Sequence, residues 1–300
     1  MCTLLPNGIH CGHVNPLTAY RASAWPVVGG FVELLPISTP HCRIERDGHV
    51  VIVTMDRPEA RNALSTDMLV GLADAWAYVS AEPDVRVAIL TGANGTFCAG
   101  ADLKAMGTPS EDERVRQRAA EITDFHWKGL LRDTLPTKPI ICAVEGYAVA
   151  GGTELLVGTD LRVVAEGSTL GLFEARRGLF PMGGSAVRLP RQIPYAFAMD
   201  LLLTGRAITA QEALRMGLVN QVVPDGQALE KARELAGQIA DCGPLAVQAI
   251  LRTYRDTLGM AEPEALKVSD ALGWPVIGSE DAREGSKAFR EKRPAVYQGK

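Results

Sequence analysis

The chain has 300 residues, 47% hydrophobic and 22% charged, with a formal net charge of −4 at pH 7. Those proportions are those of a globular protein with a sizeable core, and the acidic balance without a long basic run argues against a dedicated nucleic-acid surface. No apolar run reaches the ~20 residues needed to cross a bilayer, and the six cysteines are scattered without a CxxC pair, the usage of a cytoplasmic protein with reduced thiols.

Residues 1–41 are rich in Pro, Gly and Cys and hold no sustained period. They read as a loosely ordered extension or an overcalled start, and lack the basic-then-apolar order of a secretory signal. His10, Cys11, His13, His41 and Cys42 match no zinc spacing, so no metal is expected. The folded body is expected from Cys42 onward, as a core over 42–235 and a helical region over 236–300.

RIERDGHVVIVTMDR predicts a hairpin turning at Asp47-Gly48, and Arg57-Pro58 then breaks the strand. Ser65 is a candidate N-cap, with Asp67 in the first turn and Leu69, Leu72, Trp76 and Val79 at helical spacing. VRVAILTG reads as a buried strand, followed by the glycine-punctuated loop GANGTFCAGAD. Residues 107–118 are polar and poorly patterned and read as a mobile surface loop. A helix is expected through Phe125, Trp127 and Leu131, and the apolar run PIICAVEG reads as another strand. A glycine turn and a helix start follow in GYAVAGGTEL, then a strand at LRVVA and the loop TLGLFEARRGLFPMGGS. From Tyr195 helices dominate, with Thr209 and Glu212 forming a capping box, a short strand at LVNQVV, and breaks at Gly243-Pro244 and Pro275. Strands alternating with helices make this an α/β body, and no internal sequence repeat is visible.

Four stretches carry residues suited to chemistry: RPEARNAL (57–64), FCAGADLK (97–104), GYAVAGGTEL (146–155), and Glu174 in FEARRGLFP. Backbone N–H groups from two glycine-rich turns can stabilise a developing oxyanion. Two carboxylates in one pocket cannot both ionise cheaply, so one becomes a base and the other an acid. Spacing alone leaves open whether Glu154 and Glu174, twenty residues apart, ever meet. Cys98 and Cys142 sit in apolar runs and read as core fillers. Phe125, Trp127 and Met106 could line a pocket, but their spacing favours core.

The ordered set RPEARNAL, FCAGADLK, GYAVAGGTEL, FEARRGLFP and GLVNQVVP resembles the crotonase family, the enoyl-CoA hydratase/isomerase group, over about residues 42–295. The resemblance implies a spiral of ββα units with a C-terminal helical region that assembles trimers, often stacked as hexamers. It implies an acyl-CoA thioester as the substrate and no cofactor. Residue by residue, it places the oxyanion donors at Ala101 and Gly151 and the two hydratase glutamates at Glu154 and Glu174. CoA contacts are implied at Ala60, Arg61, Ala99, Gly100 and Lys104, with Phe289 and Lys292 at the nucleotide end. Keeping both glutamates points to a hydratase. The sequence departs from the family pattern at Ala150, where a third Gly is common, at Phe173, where Pro is common, and in the compact PMGGS.

Two other readings remain within this frame: an enoyl isomerase or another acyl-CoA reaction of the same family, and a catalytically silent acyl-CoA-binding protein. A nucleotide-dependent dehydrogenase is disfavoured because no GxGxxG follows the first strand. A serine hydrolase is disfavoured because no GxSxG occurs and three of the five histidines, His10, His13 and His41, lie before residue 42, while His49 falls in a predicted strand and His126 in a predicted helix.

Overall fold

The structure is a computed structural model that describes residues 32–104 and 107–300. His10, Cys11, His13 and Met106 therefore lie outside the described residues. Order begins ahead of Cys42. Strand β1 (Glu33–Leu34) pairs antiparallel with β2 (Cys42–Asp47), and Leu35 is buried in the core. His41 and Cys42 have structural surroundings: His41 Nδ1 lies 2.7 Å from Ser65 Oγ, and the Cys42 side chain is fully buried.

β2 and β3 (Val50–Met55) form the expected hairpin with Asp47 opposite Val50. The turn is therefore Gly48-His49, one residue later than the sequence suggested, with Gly48 at φ +58° where a side chain would be strained. After the 3-10 turn Pro58–Ala60 comes helix α1 (Thr66–Ala81), capped by Ser65, whose side chain accepts from Met68 N. Strand β4 (Val87–Gly92) precedes α2 (Glu113–Glu121) and α3 (Phe125–Gly129). Strands β5 (Ile140–Val144) and β6 (Tyr147–Val149) lead into α4 (Gly151–Gly158). Strands β7 (Leu161–Ala165) and β8 (Thr169–Gly171) precede the 3-10 turn Ala175–Arg177. Then come α5 (Ser185–Gln192), α6 (Tyr195–Thr204), β9 (Ala207–Thr209), α7 (Ala210–Arg215) and β10 (Gln221–Val223). Four helices end the chain: α8 (Ala228–Ala240), α9 (Pro244–Asp256), α10 (Glu262–Ile277) and α11 (Glu280–Glu291). No helix among the described residues is long and apolar enough to cross a membrane.

Among the described residues the large sheet runs β1-β2-β3-β4-β5-β7-β10, parallel from β3 onward, and a smaller sheet runs β6-β8-β9. Single parallel bridges, Leu64 to Ala101 and Cys98 to Ala148, lie beside the smaller sheet. The chain thus repeats one route: a strand in the large sheet, an extended stretch in the inner layer, then a helix. This is the spiral of ββα units, a repeat of backbone path and not of side chains.

The central strands are apolar on both faces because both faces are covered. Val51, Val53, Leu90, Cys142 and Val144 pack with Met68 and Leu72 of α1. Their neighbours Val50, Ile52, Ile89, Ile141 and Ala143 pack against Ala228, Ala232 and Ala236, the small-residue stripe of α8. Two expectations are corrected. Residues 107–118 are not wholly loop: α2 begins at Glu113, capped by Asp112, and buries Val115, while Arg118 chelates Asp74 of α1. Its single buried residue left no apolar period to read. Pro275 does not break its helix: α10 runs through it to Ile277.

Candidate active site

The first half of the site is a meeting of two turns. Leu64 N donates to Gly100 O (2.8 Å) and Asp102 N to Leu64 O (3.2 Å). The residues on either side of Ala101 thus make the bridge, and the Ala101 N–H faces away from Leu64, toward the turn that opens α4. Gly151 is the first residue of that helix, where N–H groups have no intrahelical acceptor. A Cβ placed on Gly151 would lie 3.6 Å from Ala101 N, and one on Gly100 would lie 3.3 Å from Gly151 N and 2.9 Å from Ala150 Cβ. Gly100, at φ +91°, cannot be replaced without pushing the turns apart. The two candidate donors therefore sit side by side.

Buried polar side chains hold these turns. Asn62, fully buried, accepts from Arg57 N (2.8 Å) and donates to Ala93 O (3.0 Å) and Thr96 O (2.6 Å). Thr153 Oγ1 donates to Ala148 O (2.6 Å) and accepts from Gly171 N (3.2 Å). Sequence reasoning missed both, since a single Asn or Thr carries no pattern. Ala150, between them, has φ +50° and ψ −120°, a conformation suited to glycine.

The second half is the pair of acids. Glu154, in the first turn of α4, is 5% exposed. Its Oε2 accepts from Gly183 N (2.9 Å) and its Oε1 from Ser185 N (3.2 Å), at the start of α5. A Cβ on Gly183 would come within 2.7 Å of Glu154 Oε2, so glycine is required for that clamp. Burial pushes the Glu154 carboxyl above its ordinary value, and the two N–H donors and Arg132 oppose the rise. Glu174 follows β8 at the head of the 3-10 turn. Burial pushes it up to about 6, and the negative charge of Glu154 adds to the rise. Its Oε2 is buried without a hydrogen-bond partner among the described residues. The structure thus brings the two acids into one electrostatic neighbourhood and treats them unequally: one is clamped by backbone N–H groups, the other holds its proton more tightly.

The implied CoA residues divide into two groups. Ala60 ends the 3-10 turn, and Arg61, at φ +51°, accepts through its carbonyl from Ala99 N (3.0 Å). Ala60, Arg61, Ala99 and Gly100 thus share one rim, and the Arg61 guanidinium lies 5.8 Å from the centre of the Tyr147 ring. Lys104 is exposed just beyond, its N–H bonded to Asp102 Oδ1 (3.0 Å), while Asp102 Oδ2 is held by Arg57 Nη1 (2.6 Å). Phe289, 85% exposed, and Lys292, the left-handed cap of α11, make no hydrogen bond, ion pair or ring contact with that rim among the described residues. Cys98 is buried, its thiol pushed up to about 12 by desolvation, and fills core as expected. Trp127 packs partly buried against the core.

A cavity of about 600 Å³ opens away from the acids, lined by Arg43, Thr91, Asn94, Glu145 and Asp225 among others. Its acids are engaged in structure: Glu145 accepts from Gly226 N and Ala228 N, and Asp225 from Gly167 N.

Comparison with known proteins shows the family. Residues 45–300 match the model of the enoyl-CoA hydratase/isomerase family. The chain is 54% identical over 263 residues to enoyl-CoA hydratase EchA19 of Mycobacterium tuberculosis, covering 88% of this chain and 98% of that protein. It is 38% identical to (E)-benzylidenesuccinyl-CoA hydratase of Thauera aromatica, covering 85% and 98%. The crystal structure of enoyl-CoA hydratase EchA1 from Mycobacterium marinum superposes with a TM-score of 0.80 at 40% identity, covering 87% of this chain and 100% of that one. Matched by the family model over residues 45–300 and by these relatives along nearly their whole length, the chain belongs to the enoyl-CoA hydratase/isomerase family, the crotonases.

Proposed function

We propose that the chain is an enoyl-CoA hydratase, adding water across the 2,3 double bond of a 2-enoyl-CoA to give the 3-hydroxyacyl-CoA. The observation that carries this reading is the pair of acids, the buried Glu154 and the half-buried Glu174, with unequal surroundings. The thioester oxygen sits between the N–H groups of Ala101 and Gly151, which stabilise the enolate-like charge by roughly 3–4 kcal/mol per donor. Glu154 takes one proton of the water as its oxygen bonds to C3. Glu174 gives its proton to C2. The next water, bonded to both acids, returns the proton from Glu154 to Glu174. The balance needs no metal and no redox cofactor. The rim at Ala60, Arg61, Ala99, Gly100 and Lys104 takes the CoA, and Phe289 and Lys292 take its nucleotide end across a subunit contact.

Glu154→Gln and Glu174→Gln are each expected to lower kcat on the order of 100-fold or more, with CoA-ester binding retained by calorimetry. Near-parental hydration in either variant would remove that residue from the mechanism. A shifted double bond without 3-hydroxy product, by chromatography of the thioesters, would mark an isomerase; binding with neither product would mark a silent acyl-CoA-binding protein.

A further inference from the structure

Two of the buried side-chain polar atoms that find no hydrogen-bond partner among the described residues belong to the surroundings of Glu154: Glu174 Oε2 and Ser185 Oγ. Ser185 is 1% exposed, and its main-chain N–H is already spent on Glu154 Oε1 at 3.2 Å. That bond pins the residue against the carboxylate. Its hydroxyl stands close enough to favour the ionised form of Glu154, though not in hydrogen-bonding geometry with it. A buried hydroxyl left unpaired is destabilising, and alanine would fill the same place without that cost.

The geometry points to Ser185 as a positioning residue for the hydration step, its hydroxyl being the third polar group around the water that Glu154 and Glu174 share. This rests on the hydratase reading above. A water about to attack has two hydrogens and two lone pairs. One hydrogen goes to Glu154 and the other to the unprotonated oxygen of Glu174. Ser185 Oγ–H donates to one lone pair, which leaves the other aimed at C3. Without the serine the water keeps both acids but can swing between its lone pairs.

Ser185→Ala tests this cleanly, because both clamps on Glu154 are main-chain N–H groups and survive the change. With crotonyl-CoA and trans-2-decenoyl-CoA as probes, kcat is expected to fall about tenfold while KM stays within twofold. The melting temperature should equal or exceed the parent's. The acid limb of the kcat/KM profile should move to higher pH, since a group that favoured ionised Glu154 is gone. A kcat within twofold of the parent on both probes, or an unmoved acid limb, overturns the assignment. Glu154→Gln and Glu174→Gln are measured alongside. If those two are inactive while Ser185→Ala is parental, only the role of Ser185 falls; if all three are parental, the hydratase reading falls as well.

Discussion

At the residue scale the acids carry a stability signature that is separate from turnover. The Glu174 carboxyl titrates at about 6 in the fold against an ordinary 4.5. The folded state therefore binds the proton more tightly between those values. The stabilisation this gives is complete below pH 4.5 and lost as pH rises through 6. Glu174→Gln removes the titration, so its melting temperature should exceed the parent's at pH 8 and converge with it at pH 4.5, read by thermal denaturation at both. A difference independent of pH would contradict the burial of that acid. Gly183→Ala should lower kcat on the order of 100-fold, because its methyl would press within 2.7 Å of Glu154 Oε2 and displace the carboxylate. Steady-state kinetics check it, with a parental rate counting against the clamp. Ala150→Gly should stabilise the protein by about 1 kcal/mol in urea denaturation, the strain of φ +50° outweighing glycine's extra freedom in the unfolded chain.

At the element scale, α4 must be held still because it carries both Gly151 and Glu154. Arg162, buried in β7, does much of that holding. Its Nη2 donates to Val157 O (3.1 Å) and Thr159 O (3.0 Å) at the end of α4 and to Gln192 Oε1 (2.8 Å) at the end of α5, and its Nη1 to Leu218 O (2.8 Å). Burial pushes its guanidinium down to about 10, still charged at neutral pH. Arg162→Met should destabilise the protein by about 3 kcal/mol or more, since it strands several buried acceptors at once. Denaturant unfolding measures this, and a loss under 1 kcal/mol would show the acceptors find other donors. Element identity was legible where the local signal is strong: the Ser65 cap and the Thr209–Glu212 capping box both form. It was not legible at α2, whose nine residues bury only Val115. The short strands β6 and β8 were equally hidden, because three-residue strands beside glycine turns carry no period.

At the scale of the whole molecule, large apolar side chains remain uncovered on the later helices. Tyr195 and Leu203 on α6, Ile250 on α9, and Trp274 and Ile277 on α10 are each at least 68% exposed. So many exposed apolar groups on one set of helices fit a surface buried between subunits, the trimer or hexamer that the family resemblance implies. Tyr195→Glu with Leu203→Glu should shift sedimentation velocity toward the monomer, and an unchanged coefficient would place the contact elsewhere.

The sequence by itself determined the family, the α/β order, the apolar buried strands and the residues offered for the site. Each rests on a local signal: an apolar run, a cap, or a motif of contiguous residues. Only the tertiary structure decided which of those residues meet. Ala101 and Gly151 come together because the bridge beside Leu64 turns one N–H outward and the start of α4 leaves another unpaired. Glu154 and Glu174 become unequal because α5 begins on one of them and leaves an oxygen of the other buried without a partner. Ser185 emerged only there, since its hydroxyl matters through what surrounds it in space and not through its neighbours along the chain.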